Sequence, residues 1–578
     1  MKSLLPKISR EQVFTISFLA IAVFLGVIGS LASAHSMGPD GISYLDIGDA
    51  LSQGHWTAAI NRHWSPLYPF SLAIALRLLK PAPYQEFPTV HLVNFVLYLG
   101  ALASFRFLLR SLVNYVSSTS GKLNIYSSLP ETTWIALGYT LFMWSSLRLI
   151  TISYVNPDMS LSIFIFLAMG LVLRIRTGPV PWRNYVLLGF VLGLGYFAKA
   201  AMFPLAFVFL ALALPTDGTL RTKSGKVMLA TTVFLAISSP LVYQLSRSAG
   251  HPTFGESGRL NYIWIINQVP QYYWKSATDE SNGMPPPARQ LFAEPAVYQF
   301  NVPARGTYPY WYDPARWYQN VSPRLDLKAN FRQLVANLHE YYRIFFDIQP
   351  ALPFAVLILF LLSERPKSVF ADMVNRWVLL AAPVVGLLMF AFVLVEARYI
   401  ATFVTLLLLG VFAGISSPSS QKAQRAYSRI ILGLVIVILL QLGRYTIGEL
   451  ARTNVHELMS WQPASSDIEW RIADCLNRSG VHPGDKVAWV RPQQFDDIKN
   501  YWWARLARIQ IVADIPNEDS FWSADEATRS KAIQSLSSAN VKALVVSEVP
   551  RFLQLQDFVP LGSTGYYVHL FPDKSLAP

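Results

Sequence analysis

Three carboxylates fall within the stretch GPDGISYLDIGD, residues 38–49, directly after the first long apolar run: Asp40, Asp46 and Asp49. Charge beside hydrocarbon is costly to desolvate and calls for a purpose or a partner. Gly38, Pro39 and Gly41 hold Asp40 in a turn, and helical spacing puts it on one face with Tyr44. Asp46 and Asp49, on another face, are expected to be solvated. Held in its turn, Asp40 is the sharper candidate for chemistry, or it simply caps the helix that follows. Asp158, in an "NPD" turn entering a later apolar run, poses the same choice. Lys199 stands alone in "GLGYFAKAAMFPLA", as a snorkelling anchor or as a compact cation for a lipid-linked phosphate. Glu396 and Arg398, in "VLVEARYIATF", add a second cation, suited to bidentate phosphate contact or to a local ion pair.

The elements that must position these residues are membrane helices. Of the 578 residues 53% are hydrophobic and only 14% are charged, where an ordinary globular chain has about a quarter charged. The mean hydropathy is +0.33. Lys2, Lys7 and Arg10 precede an apolar run from Val13 to about Ser33, long enough to cross hydrocarbon and longer than the core of a signal peptide. The basic flank places the N-terminus in the cytoplasm. Further spans are expected near 88–109, 131–150, 158–174, 184–198, 200–215, 227–246, 350–363, 376–395, 399–415 and 429–447. Positive charge alternates with this order: Arg106, Arg110 and Lys122 fall inside, as do Arg174, Arg176 and Arg183, then Arg221, Lys223 and Lys226, then Arg365 and Lys367, then Lys422, Arg425 and Arg429. The alternation requires Ser65–Leu79, "SPLYPFSLAIALRLL", to be an interfacial or re-entrant helix rather than a crossing. About eleven crossings result.

The net charge of +13 therefore reads as topology and not as a nucleic-acid footprint. The outer face collects the loop 34–87, the turn around Asp158, Lys199, the insertion 247–346, the Glu396/Arg398 turn and everything past about 450. The insertion is rich in aromatics, as in "NYIWIINQVPQYYWKS" and "RGTYPYWYDPARWYQN", which suit the membrane interface and equally the stacking of sugar rings. Its prolines predict short helices and loops. Residues 451–578 turn soluble in composition, with helices in "DIEWRIADCLNRSG" and, from a Ser cap, in "SADEATRSKAIQSLSSAN". Strands are expected in "DKVAWV", "RIQIVAD", "VKALVVSE" and "GYYVHLF", giving a small α/β domain over the outer face. That domain has no Gly-rich phosphate loop and no His/Cys metal set, and Cys475, the only cysteine, can form no internal disulfide.

A first span followed by "PDGISYLDIGDALSQG", then "WSPLYP", then "NPD", then "EARY" before a late span resembles the GT-C membrane glycosyltransferases over about residues 10–450. Within them it resembles the bacterial branch of protein O-mannosyltransferase and the aminoarabinose transferase of lipid A. The resemblance implies a GT-C-like transmembrane domain over 1–450, followed by the α/β domain 451–578. It implies a polyprenyl-phosphate sugar donor and transfer to an acceptor glycan, lipid or protein outside the cytoplasm; the short cytoplasmic N-terminus without an organelle signal suggests a bacterial inner membrane. By it Asp40 is the general base, Asp158 the acid of the second outer loop, and Lys199 and Arg398 the holders of the donor phosphate, with Tyr44, His63, Glu396 and Tyr399 in support. The family's lysine in a "K-P-P" turn has no counterpart, because Ser65 precedes Pro66. No cofactor is implied by that branch, and a divalent cation is left open should Asp40 and Asp158 meet. The rival readings are a transporter or flippase of a lipid-linked anion, whose charges would lie near the bilayer midplane, and an envelope scaffold with a decayed site.

Overall fold

A computed structural model describes residues 9–122, 129–178, 180–214, 220–271, 286–301, 305–363, 366–415, 420–453, 467–492, 501–547, 549–550 and 557–572. Lys2, Lys7, Arg365 and the end of the first aromatic stretch, 272–276, lie outside them. In chain order come α1 (Arg10–Ala32), α2 (Pro39–Ser52), α3 (Leu67–Leu79), α4 (Glu86–Lys122), α5 (Glu131–Trp144), α6 (Asp158–Thr177), α7 (Arg183–Ala198), α8 (Met202–Leu212) and α9 (Leu220–Ala249). The later long helices are Leu327–Tyr342, Ala351–Leu361, Val378–Ala391, Ala397–Gly414 and Gln421–Arg452. The chain divides into two compact units, one of residues 1–33, 91–254 and 325–453, the other of 34–90, 255–324 and 454–578.

The first unit is a bundle of apolar helices, and every expected crossing is helical in it. The chain is an integral membrane protein. Among the described residues six helices are long and apolar enough to cross a membrane alone, or up to eight if each of two sharply bent pairs is one span. The expected eleven therefore exceed by three what length alone supports, because α5 is 14 residues long and α7 and α8 are short apolar helices on either side of Lys199. In the core Phe105 meets Phe142 and Phe166 at 5.1 and 5.2 Å between ring centroids. Hydrogen bonds to backbone carbonyls lock helix to helix, as a medium without water favours: Tyr98 donates to the Ala22 carbonyl at 2.9 Å. Gly189 brings α7 against α9, where a Cβ would strike the Ala230 carbonyl.

The second unit is built on a seven-stranded sheet in the order β1-β2-β4-β3-β5-β7-β6. Its strands are β1 (Ala288–Phe292), β2 (Val297–Phe300), β3 (Lys486–Val490), β4 (Gln510–Ile515), β5 (Ala543–Ser547), β6 (Val559–Pro560) and β7 (Tyr566–Leu570). β3 runs parallel to β4 and β5, and the remaining pairings are antiparallel. All four strands expected after residue 451 form. The sheet is wider than the expected domain, because β1 and β2 come from the insertion and continue it beyond β4. The helix Glu526–Leu536 takes its cap from Asp525, whose carboxylate accepts from Thr528 N, and not from the expected serine. Asp lies immediately before the first helical residue, while Ser523 is too far upstream to reach it.

Two further expectations need amending. The insertion holds the 16-residue helix Leu327–Tyr342 as well as short pieces, since its prolines stop before residue 327 and Asp326 caps the start. Its aromatics between Tyr308 and Tyr318 are buried in the second unit, so those six neither anchor at an interface nor offer an open stacking face. α3, within the stretch Ser65–Leu79, is a short apolar helix on which Tyr68, Leu72 and Leu76 are buried while Phe70, Ile74 and Leu78 are exposed.

Candidate functional site

In the first unit Asp158, Lys199, Glu396, Arg398 and Tyr399 come together. Asp158 is the first residue of α6, where the positive helix end favours its charge. Its backbone N–H is taken by Asn156 Oδ1 at 2.9 Å, so Asn156 shapes the turn and the Asp158 side chain is free to look elsewhere. It accepts from Lys199 Nζ at 2.5 Å, with the carboxylate 2% and the lysine 20% exposed. Lys199 caps the C-terminus of α7 in extended conformation, which ends that helix and swings the ammonium toward α6. The ammonium lies 3.8 Å from the centroid of the Tyr399 ring, and the Arg398 guanidinium carbon lies 5.0 Å from the same ring. Arg398 Nε donates to Glu396 Oε2 at 2.6 Å. Glu396 is the extended residue preceding the helix Ala397–Gly414, which puts both side chains at that helix's mouth. Four residues below Asp158, Ser162 Oγ and Thr402 Oγ1 share a hydrogen bond of 2.7 Å that fixes α6 on this helix.

Tyr399 is thus the common floor of two cations, each steadied by its own carboxylate. Three buried polar atoms beside them, Asn156 Nδ2, Asp158 Oδ2 and Ser160 Oγ, have no hydrogen-bond partner among the described residues. Buried donors and acceptors left open cost about 1–3 kcal/mol each, which a polar ligand would recover. The Asp158 side chain makes no cap hydrogen bond, so the capping alternative fails for it; the expected ion pair of Glu396 with Arg398 forms, and the pair of Lys199 with Asp158 was not expected.

Asp40, Tyr44 and His63 belong to the second unit. Asp40 is the second residue of α2, inside its first turn, and Gly38 occupies the cap position. Its carboxylate accepts from Trp311 Nε1 at 3.1 Å. Trp311 is held in turn through its carbonyl, which accepts from Ser43 Oγ at 2.8 Å and Trp64 Nε1 at 3.1 Å. Tyr44 packs edge-on against Trp64 and Tyr68, at 4.9 and 5.1 Å. His63 lies 4.2 Å from the Trp64 ring, and Trp264 stacks on Trp311 at 6.2 Å. The base candidate and its two expected supports therefore share one aromatic setting, ordered by Trp311, a residue that local sequence did not single out. Its signal was the aromatic density of the insertion, which says nothing of a partner 271 residues away.

Asp46 is not on a solvated face. It is buried, accepting from Thr307 N at 2.6 Å, Thr307 Oγ1 at 2.8 Å and Arg505 at 3.1 Å. Arg505 also binds both oxygens of Glu86 at 2.9 Å and reaches Asp49 at 3.3 Å, and Arg508 adds a bond to Glu86 at 3.0 Å. Burial pushes the Asp46 carboxyl up to about 6 against the pull of Arg505 and Thr307. Burial also opposes the charge of Arg505, but Glu86, Asp46 and Asp49 outweigh it and hold the guanidinium pKa above its ordinary value. Among the described residues no group of three or more His, Cys, Asp or Glu is placed to hold a metal ion.

No protein-family profile and no curated protein matches the sequence. Solved structures do. ArnT from Cupriavidus metallidurans in the apo state aligns over 97% of this chain and 98% of its own, at 13% identity and a TM-score of 0.51. The same protein bound to undecaprenyl phosphate aligns with a TM-score of 0.46 at 14% identity, over 97% of this chain and 99% of that one. The oligosaccharyltransferase of Archaeoglobus fulgidus, in complex with Zn and sulfate, aligns over 91% of this chain and 68% of its own, at 11% identity and a TM-score of 0.46. The resemblance drawn from the sequence motifs is met in the backbone: the chain has the fold of ArnT, a GT-C membrane glycosyltransferase.

Proposed function

We propose that this protein is a membrane glycosyltransferase that moves a sugar from a polyprenyl-phosphate donor to an acceptor hydroxyl or amine outside the cytoplasm. The observation that carries the reading is the pair of cations, Lys199 and Arg398, on the Tyr399 ring in a chain of this fold. In an inverting displacement the acceptor oxygen or nitrogen attacks the anomeric carbon, the bond from that carbon to the phosphate oxygen breaks, and the acceptor proton passes to a base. Asp40 is assigned as that base, its carboxylate oriented by Trp311. Lys199 and Arg398 are assigned to the departing phosphate, whose growing charge fixed cations stabilise without reorganisation. Asp158 and Glu396 aim those cations, and the open polar atoms of Asn156, Asp158 and Ser160 are suited to a polar part of the donor. Tyr44 and His63 line the aromatic setting of the base.

The test is transfer of radiolabelled sugar from polyprenyl-phosphate donors by membranes holding equal amounts of wild type or Asp40→Asn. General-base catalysis is typically about 10²- to 10⁴-fold, so the variant should lose at least about 99% of the transfer while remaining folded. Undiminished transfer would strip Asp40 of this role. Absence of transfer by the wild type from every donor, together with movement of a lipid-linked anion across vesicles, would establish the transporter instead.

A further inference from the structure

A cavity of about 580 Å³ opens in the first unit among α1, α4 and α5, remote from the Asp158 cluster. α4 gives the separation. Asn94 donates to the carbonyls of Ile152 and Tyr154, in the turn that leads to Asp158. Arg106 lies twelve residues further along, about 18 Å at helical rise. Arg106 and Arg110, four apart on α4, face the cavity together with Glu11 from the first turn of α1 and Glu131 from the first turn of α5. First-turn acids suit helix dipoles, which accounts for each glutamate separately. It does not account for the four charges sharing one cavity unpaired: none of them has an ion-pair partner among the described residues, and Arg106 Nε is buried without a hydrogen-bond partner. The rest of the lining joins the polar Ser9, Gln12 and Thr15 to an apolar wall of Ile16, Leu109, Val113 and Ile135, and Ile16 is 59% exposed on the outside of α1 beside the exposed Val13. The cavity therefore borders the lipid-facing surface, at the end of the bundle where the positive-inside rule places the cytoplasm.

We propose that this cavity binds the headgroup of a phosphoethanolamine lipid of the cytoplasmic leaflet. Its phosphodiester would lie against Arg106 and Arg110, whose forked donors match phosphate oxygens. Its primary ammonium would lie against Glu11 and Glu131, and its chains would follow the apolar wall past Ile16. The two signs in the cavity decide the class. A purely anionic headgroup would meet two carboxylates, and a quaternary ammonium has no N–H to give them. A volume of this size is within the usual range of about 300–1,000 Å³ for small-molecule sites.

Native mass spectrometry of the full chain from detergent, titrated with phosphatidylethanolamine, phosphatidylglycerol and phosphatidylcholine of matched chains, tests this. The wild type should retain one phosphatidylethanolamine at least about tenfold more tightly than either other lipid, the ratio that 1.4 kcal/mol supplies. Arg106→Gln with Arg110→Gln should weaken it by about tenfold or more. Glu11→Gln with Glu131→Gln should leave phosphatidylglycerol bound and erase the preference. This second pair changes no charge-bearing partner in the bundle core, so it decides the matter even if the arginine variant fails to fold. Equal retention of phosphatidylglycerol by the wild type, binding of inorganic phosphate without lipid, or a preference that survives the glutamate variants would overturn the proposal.

Discussion

At the scale of single residues, the first unit's polar cluster was readable because each member stood out against an apolar background. A lone lysine between two apolar runs has few ways to be satisfied, and Asp158 is the way this chain uses. Asp46 was misread for the opposite reason: local spacing shows which face of α2 it occupies, but not that Thr307 and Arg505 cover that face. Two predictions follow from burial. Breaking a buried pair costs about 3–5 kcal/mol because the remaining charge is stranded. Lys199→Ala should therefore lower the melting temperature in detergent, and adding Asp158→Asn should recover most of it. Sugar transfer should stay lost in both, and recovered transfer in the double variant would show that the lysine serves only the fold. Asp46 titrates at about 6 in the fold against an ordinary 3.8, so the folded state holds that proton more tightly than the unfolded chain. Its contribution to stability is greatest below about pH 4 and is lost as pH rises through about 6, by roughly 3 kcal/mol at 1.36 kcal/mol per unit. Burial raises Asp313 and Asp514 in the same direction, so the measurement is a difference. Between pH 4 and 6 the melting temperature of the wild type should fall relative to Asp46→Asn, and parallel profiles would refute the assignment.

At the scale of elements, hydropathy located the helices of the first unit because membrane spans are long and apolar, and alternation located the later strands. What it missed were elements whose meaning is set by distant partners. β1 and β2 are short strands in an aromatic, proline-rich stretch, and they matter because β2 extends the sheet beside β4. The short helix Trp502–Leu506 carries Arg505, which joins the start of α4, through Glu86, to α2, through Asp46 and Asp49. Its side chain is 9% exposed, and no neutral residue can satisfy the carboxylates it serves. Arg505→Met should destabilise the second unit by about 3–5 kcal/mol, somewhat eased by the Arg508 bond to Glu86. Limited proteolysis should then cut between 486 and 570 at protease levels the wild type resists. Arg505→Lys, which keeps charge but loses the fork, should fall between them.

At the scale of the whole molecule, the membrane character was legible from composition. The extent of the second unit was not, because three stretches far apart in sequence build it. Removing 454–578 is therefore expected to do more than delete a domain: it takes five of seven strands and the arginine that balances Asp46 and Glu86. A chain ended at Thr453 should elute as aggregate in size-exclusion chromatography of detergent extracts, and a monodisperse, transfer-active product would show that 34–90 and 255–324 stand without it. The same assembly also sets an order of events during biosynthesis. β3 and β5 lie at the centre of the sheet and β7 is its last-made strand, so the segments at 34–90 and 255–324 are finished long before the strands they pack with exist. Pairings this distant in sequence form slowly and leave strand edges open to the wrong partners while they wait. Maturation of this protein thus has a late step, set after β7 has been made, and until then it depends on whatever shields the unfinished segments.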